Sequence, residues 1–600
     1  YCLSAPLVQG RFIQRHLPQP GMTNRDSAMK HHFLFSLTGL VVLSMARADT
    51  LPSIINPDNP AQVSRNVAPE QTEAAPQPNV KIEKPKSTLT PETPITIHHI
   101  QFIGGTRYPL KELLQPFRPY AGKTVPLKTL TGLVNDITER YKADGFPLSY
   151  AWLPDNNFQQ GNIKIVLVEG YVAHSDITSN NPHIAERLKR LSKKIMAEKP
   201  LSQDTFDRYS QLMTRTPNVP VTANAQLPTN IYGAAAMQIT GNQERSWNIA
   251  STIDTRKGQD LMMLNGTLSN MTSYGDQLGV ATLVPLDSNT RKNYVGLNWQ
   301  QFLNDEGLTM QLKGSYYRED PRDFSPLLSL PNNISVDSKQ KTTQYNGGVT
   351  FGYPLLLTQK SQINLTSGFD YTDRQDDYAL QARLLGKTYS LDSVNQHARY
   401  PALEVGINGA HQFTTASISG RLNVRQGMDA MGADIVSAPR PDINFTLTKS
   451  YLDAAWLFAD KWRLSTSWEG DWSNNTLPEP ERVSFGAQRF GRGYQDSEAS
   501  GDYGYGGQVE LRYIQMRKES TWLATIQPYI LADTAQTWFN TSGLPHQRLG
   551  SVAAGVMVGD TRHYSITVEA ARPVGDVPTD SRNRDWRYSL TFTWNFNKMQ

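Results

Sequence analysis

The last strand-like stretch of the chain limits its possible folds more than any other feature. Between Trp586 and Phe596, the apolar residues Trp586, Tyr588, Leu590, Phe592, Trp594 and Phe596 alternate strictly with Arg587, Ser589, Thr591, Thr593 and Asn595. A period of two puts every large apolar side chain on one face of a strand and every polar one on the other. The stretches "HYSITVEAAR" (563–572) and "GQVELRY" (507–513) behave the same way. Lipid on one face and water on the other demands that alternation.

From Ser246 onward helical periodicity disappears, and about sixteen such segments follow. They begin near residues 246, 260, 275, 291, 307, 341, 361, 400, 415, 441, 461, 504, 522, 549, 563 and 586. The intervals after even-numbered segments are short, as at Met271–Tyr274, Gln412–Thr415 and Gly559–Arg562. Several after odd-numbered segments are long, as at Asp320–Lys341, Asp373–Arg399 and Trp472–Tyr503. A soluble sandwich has no reason to sort its loops by parity, whereas an outer-membrane barrel has short turns on one side and long loops on the other. The fold class is therefore mainly β: a sixteen-stranded antiparallel transmembrane barrel over 245–600, preceded by α+β modules. Composition agrees, since only 38% of residues are hydrophobic while 10% are aromatic. Disordered chains are poor in aromatics.

Two modules precede the barrel, at 95–170 and 171–244. In the first, "ITIHHIQFIGG" reads as a strand, Pro109–Phe117 as a short helix and Pro126–Ala143 as a longer one. Leu127, Leu130, Val134, Ile137 and Tyr141 recur every three or four residues and build one buried helical face. Two strands, "PLSYAWLP" and "GNIKIVLVEG", close a β-α-α-β-β unit. The second module repeats the order, with Ile184, Leu188, Leu191 and Ile195 on its first helix, a second helix over 203–213, and strands near 219–227 and 233–240.

Upstream, Met29, Lys30, His31 and His32 lead into the apolar run "FLFSLTGLVVLSM" and then Ala46-Arg47-Ala48. This is the pattern of a secretory signal, with cleavage expected between Ala48 and Asp49. Residues 1–28 read as upstream sequence absent from the mature protein, and 29–48 as the signal. The Pro-, Gln- and Glu-rich stretch 49–94 reads as a linker. Cys2 is the single cysteine, so the mature chain is expected to have no disulfide and no lipid-bearing cysteine. A secreted, cysteine-free chain of this kind points to the Gram-negative outer membrane. Net charge is +4, with acids and bases nearly balanced, which argues against a nucleic-acid partner. No metal or cofactor motif stands out: His98 and His99 have no ligand spacing with a neighbour, and none is expected.

The stretch "FGAQRFGRGYQDSEASGDYGYGG" (485–507) falls in the long outer loop between the eleventh and twelfth strands. A phosphate-binding loop needs a strand before it, a helix after it and usually a Lys-Ser/Thr pair, and none is present. Instead Phe490 and Tyr494 flank Gly491-Arg492-Gly493. Glycines permit a tight turn that projects one guanidinium, and inside a barrel that charge wants a carboxylate.

With these parts in this order, the chain resembles the two-partner secretion transporters, the TpsB proteins, whose superfamily also holds the outer-membrane assembly insertases. In that family the small modules are periplasmic POTRA domains, and the sixth outer loop folds back into the barrel carrying a Val/Ile-Arg-Gly-Tyr/Phe motif. Here the motif reads Gly491-Arg492-Gly493-Tyr494, departing at its first position. The family's arginine is held by an aspartate in a Phe-x-Asp-x-Gly motif on strand thirteen. The matching stretch, "QPYILADTAQTW", puts Asp533 in that role, with Leu531 and Ala535 in place of Phe and Gly. "VEAARPV" resembles the family's penultimate strand.

The resemblance implies a monomer that exports one large exoprotein of the TpsA type, bound as an extended chain. The barrel would sit among outer-membrane lipid and lipopolysaccharide and use no nucleotide or cofactor. An insertase remains open as an alternative, although such relatives commonly carry three to five POTRA modules. A passive porin has no use for periplasmic modules. An enzyme would need a constellation around His397, His411, His546 or His563, and none of these stands in a hydrolase motif.

Overall fold

The computed structural model describes residues 90–596, apart from positions 155–160, 229, 257–260, 287–289, 331–333, 385–386, 391–392, 438–439, 488–489, 518–521, 543–545 and 561–562. The expected signal, its Ala48–Asp49 cleavage site and most of the linker lie outside the described residues.

The first module contains β1 (Pro94–Thr96), β2 (His99–Ile103), α1 (Leu110–Leu114), β3 (Thr124–Pro126), α2 (Leu127–Ala143), β4 (Tyr150–Trp152) and β5 (Asn162–Val168). The stretch expected as one opening strand is broken: β1 pairs with β3, while β2 runs parallel to β5 in a β2-β5-β4 sheet. The face of α2 packs as its periodicity predicts, with Leu127, Leu130, Val134, Ile137 and Tyr141 all buried. Gly145, at φ 84°, stops that helix in a conformation that glycine adopts without steric cost.

The second module contains β6 (Tyr171–Thr178), α3 (Pro182–Met196), α4 (Gln203–Thr214), β7 (Val221–Ala225) and β8 (Ala234–Gly241), with sheet order β6-β8-β7. Side chains of Asn181 and Ser202 cap α3 and α4 by accepting N–H bonds from His183 and Thr205. Its core gathers Ile184, Leu188, Leu191 and Ile195 from α3 with Phe206, Leu212 and Met213 from α4.

The remaining strands close into one antiparallel barrel of sixteen strands. These begin at Trp247, Leu261, Gln277, Thr290, Thr309, Ile334, Ser361, Val394, Ala416, Thr446, Trp462, Tyr503, Thr525, Gln547, Tyr564 and Arg587. Closure comes from the last strand pairing with the first, Thr591 opposite Asp254 through Asn595 opposite Ala250. Alternate residues such as Leu403, Val405 and Ile407 of strand eight stay exposed on the outer face. Two aromatic belts frame that surface. Trp456, Phe458, Trp462 and Tyr513 cluster at one end, and Trp472, Tyr503 and Trp538 at the other. Trp462 and Trp472 bound strand eleven, about 33 Å apart along it at the usual rise, or about 25 Å of height once the strand tilts. That height fits the hydrocarbon layer.

Two of the three long outer intervals are largely paired rather than irregular. Strand six covers Ile334–Leu357 and strand seven Ser361–Leu384, joined side by side over nearly their whole lengths. Ser325–Leu330 and Lys387–Ser390 extend the same outer sheet. The alternation that marks strands inside lipid fades here because beyond the membrane neither face must be apolar, as "TDRQDDY" (372–378) shows.

Candidate functional site: the loop inside the barrel

Loop six leaves strand eleven at Trp472 and rejoins the wall at Tyr503. It folds into a hairpin, Val483–Phe485 paired with Ala499–Gly501. The hairpin carries an apolar knob of Val483, Phe485, Phe490, Tyr494 and Ala499, which packs on Ala535 and Leu549 of strands thirteen and fourteen. Such a knob removes the loop from solvent and fixes its position on the inner wall.

Local geometry explains the glycines. Phe490 sits at φ 50° and Gly491 at φ 129°, a left-handed entry that β-carbon-bearing residues rarely adopt. A Cβ on Gly493 would stand 2.5 Å from the backbone nitrogen of Pro573, so the chain passes too close to strand fifteen for any side chain there. On the adjoining strand twelve, a Cβ at Gly506 would meet the Phe490 ring at 2.3 Å. The glycine-rich run thus supplies both the turn and the seat for its aromatic wedge.

The tip is bound rung by rung. The Arg492 N–H donates to Asp533 Oδ2 at 2.9 Å, and the Gly493 N–H to Ser551 Oγ at 2.9 Å. The Tyr494 hydroxyl donates to the Asp576 carbonyl at 2.8 Å. Asp533, Ser551 and Pro573 lie level across strands thirteen to fifteen, so the tip's backbone follows that level. The guanidinium points toward the level of Tyr529, Gly555 and Glu569, farther toward the periplasm. There Arg492 Nη1 stands 3.6 Å from Glu569 Oε2, which also accepts the Tyr529 hydroxyl at 2.7 Å.

Asp533 was expected to hold the guanidinium. It takes the backbone N–H of Arg492 instead, and among the described residues the ion pair runs to Glu569. The reason is register: Asp533 is level with the turn itself, so its carboxylate meets main chain while the long side chain reaches past it. Sequence reasoning did not assign Glu569, although it is the charged residue on the polar face of "HYSITVEAAR". Arg492 Nε and Asp533 Oδ1 are buried without a hydrogen-bond partner, so the tip is held by an incompletely satisfied network.

Beneath the barrel the second module is docked through α3 and α4. Arg190 Nε donates to Asp305 Oδ1 at 3.0 Å, Arg208 to the Glu306 and Pro354 carbonyls at 2.8 and 3.1 Å, and Tyr209 to Glu306 Oε2 at 2.8 Å. Arg215 donates to Gln362 Oε1 at 2.9 Å and Asn364 Oδ1 at 3.2 Å. Phe302 and Leu357 of the barrel enter the module's own core, and the Arg187 guanidinium lies 3.9 Å from the centre of the Phe302 ring.

Three of the four barrel histidines, His397, His411 and His563, have local partners. His397 Nε2 stands 2.8 Å from Asp434, His563 Nδ1 2.8 Å from Asp560, and His411 Nδ1 2.7 Å from Ser361 Oγ, its cross-strand neighbour.

A loop held inside a sixteen-strand barrel, over two β-α-α-β-β modules, matches known proteins in each part. Residues 95–170 match the model of the ShlB-type POTRA domain, and residues 332–558 that of the haemolysin secretion/activation proteins ShlB/FhaC/HecB. The chain belongs to the two-partner secretion transporters. Over 82% of this chain and 88% of the relative it is 21% identical to the heme/hemopexin transporter protein HuxB of Haemophilus influenzae. It is 24% identical to the hemolysin transporter protein HpmB of Proteus mirabilis, over 67% and 69% of the two chains. Among solved structures, CdiB from Escherichia coli superposes with a TM-score of 0.61 at 17% identity, over 87% of this chain and 94% of that one. CdiB from Acinetobacter baumannii gives 0.57 at 16% identity, over 93% and 99%. Like its relatives, this transporter is an outer-membrane protein with its POTRA modules on the periplasmic side.

Proposed function

We propose that this transporter recognises one large unfolded exoprotein through its periplasmic modules and exports it through the barrel without nucleotide. The observation that carries this reading is the placement of loop six. A glycine-containing loop, seated by an apolar knob and polar contacts, occupies the lumen above a docked POTRA module. A passive pore has no use for that pairing.

The modules supply the recognition chemistry. β4 is an edge of one sheet and β7 of the other, so each offers main-chain N–H and C=O groups that can add an extended strand. Binding through main chain tolerates many sequences and releases readily. Folding of the cargo outside gives transport its direction. The names of HuxB and HpmB refer to heme/hemopexin and hemolysin, so the cargo differs between relatives while the transporter plan is kept. The barrel closes within one chain, which supports a monomer. The aromatic belts suit the interfaces of an outer membrane with lipopolysaccharide in its outer leaflet.

Comparing culture medium and outer membrane by mass spectrometry, with and without the gene, tests the reading. Loss of one large protein from the medium is the expected result; broad depletion of outer-membrane barrels would identify an insertase instead. Arg492→Ala, which removes the Glu569 ion pair but keeps the backbone bond to Asp533, should lower export by about tenfold with the barrel still folded. Normal export by this variant would remove Arg492 from the mechanism.

A further inference from the structure

Loop six is held at its base and around its tip, and the base contact is the more completely paired of the two ion pairs. Before the hairpin, the chain makes a short turn at Glu479–Glu481 with Pro478 and Pro480 around its first carboxylate. Proline fixes φ, so the turn is stiff and presents two carboxylates in a set geometry. Glu481 is fully buried. It accepts two bonds from Arg425, Nε to Oε2 and Nη2 to Oε1, both at 2.9 Å, and a third from the Tyr400 hydroxyl at 3.0 Å. The other edge of the Arg425 fork grips Asp370 at 2.6 and 2.7 Å. Glu479 meets Arg374 at 2.9 Å, and Arg374 is itself held by Asp376 at 2.7 Å. Nearby, Leu477 joins Tyr400, Phe445 and Leu447 in a small buried core.

The two contacts lie on different walls. Asp370 and Arg374 belong to strand seven, Tyr400 to strand eight and Arg425 to strand nine, whereas the tip is bound on strands thirteen to fifteen. Loop six therefore crosses the lumen from one wall to another. The contacts also differ in strength. At the base a fork-to-fork guanidinium–carboxylate pair has every Arg425 nitrogen engaged, and the Arg425 side chain is 1% exposed. At the tip the guanidinium is 3.6 Å from its carboxylate, the Arg492 side chain is 20% exposed, and the buried Nε has no partner. Breaking a buried, fully bonded pair costs much more than breaking a loose one.

We propose that the Glu481–Arg425 pair, supported by Glu479–Arg374, is the fixed anchor of loop six. The Arg492 tip is then the end that releases, so the loop swings about its base instead of leaving the barrel. Arg425 and Glu481 are positioning residues: they touch no cargo and act by setting where the loop can go. The inference rests on the export reading, but its test does not require cargo.

Purified full-length protein in planar bilayers gives the opening frequency, and trypsin added to intact cells reports whether Arg482, next to the anchor, becomes accessible. Band shift on heating, without which a barrel stays compact in a gel, shows that each variant is folded. Glu481→Gln should raise openings by about tenfold and expose Arg482 to cleavage, and Arg425→Lys, which keeps charge but loses the fork, should give a smaller rise. Arg492→Ala should raise openings while leaving Arg482 protected, a split that a general loosening of the barrel would not produce. A folded Glu481→Gln barrel with unchanged openings and a protected Arg482 overturns the proposal. Should Glu481→Gln fail to fold, Glu479→Gln decides, since Glu479 is 42% exposed and its loss spares the buried pair. It should raise openings about twofold, and no rise would be as fatal. Failure on these readouts leaves export standing, because loss of the exoprotein from the medium is measured separately.

Discussion

The two periplasmic modules share one plan and differ in how they are held. The second is joined to the barrel by arginines on both of its helices, and two barrel side chains, Phe302 and Leu357, complete its core. The first is joined to the second by lighter means. The Gln203 N–H donates to the Gly145 carbonyl at 2.7 Å, the Tyr150 hydroxyl to the Pro228 carbonyl at 2.9 Å, and Leu148 lends its side chain to the neighbour's core. The same β-α-α-β-β unit thus serves once as part of the barrel's floor and once as an arm attached to that floor.

The largest effect should come from undoing the floor. Arg208→Ala removes bonds to the Glu306 and Pro354 carbonyls and the Tyr353 hydroxyl, leaving half-buried acceptors unpaired. Export should drop at least about tenfold, and hydrogen exchange should quicken in α4 while the barrel strands stay protected. Equal protection of α4 in variant and parent would show that the second module does not depend on this contact.

A medium effect is expected where the modules meet. Leu148→Ala empties a site that is 2% exposed, and a truncation of this kind costs about 2–4 kcal/mol. The loss should appear as a lower melting temperature for the modules, with the heat-resistant barrel unmoved. A fall in barrel stability would mean that the arm and the floor unfold as one.

The smallest concerns pH. Burial raises the Glu169 carboxyl's pKa, but the Arg107 N–H, the hydroxyl and N–H of Thr106, and the Tyr141 hydroxyl outweigh it and hold it below the ordinary value. A carboxyl lowered in the folded state stabilises above its unfolded pKa, about 4.3, and that contribution is lost as pH falls through the folded value. Amide exchange at Thr106 and Arg107 should therefore quicken, relative to α2, below about pH 4. In Glu169→Gln that acid-dependent step should be absent. Persistence of the step in the variant would assign it to another group.

Much of this was legible in the residues because lipid enforces a simple rule. Alternation placed fourteen of the sixteen strand starts within about five residues of those observed, the sixth and eighth being the exceptions. Those two begin earlier, at Ile334 and Val394, because their first residues lie outside the membrane, where the rule lapses. Loop six was legible as Gly491-Arg492-Gly493-Tyr494, since only glycine satisfies both the φ at 491 and the approach to Pro573. Its partners were less so. Which carboxylate faces a guanidinium depends on register across three strands, and register is set by long-range pairing that no local pattern records. The anchor at Glu479 and Glu481 was invisible for the same reason: "LPEPER" reads as an ordinary polar loop until strands seven to nine are brought beside it.

The paired hairpin of strands six and seven carries a consequence beyond transport. Each strand has 24 residues, about 80 Å of chain at the usual rise, while lipid needs about ten. The excess is held by a backbone ladder, which depends little on which side chains hang from it. Away from Asp370, Arg374 and Asp376, which serve the base of loop six, mutation there can alter charge and shape without touching the fold below. The transporter thus carries a long paired mast beyond the membrane, whose outward side chains can vary while those that face the lumen cannot.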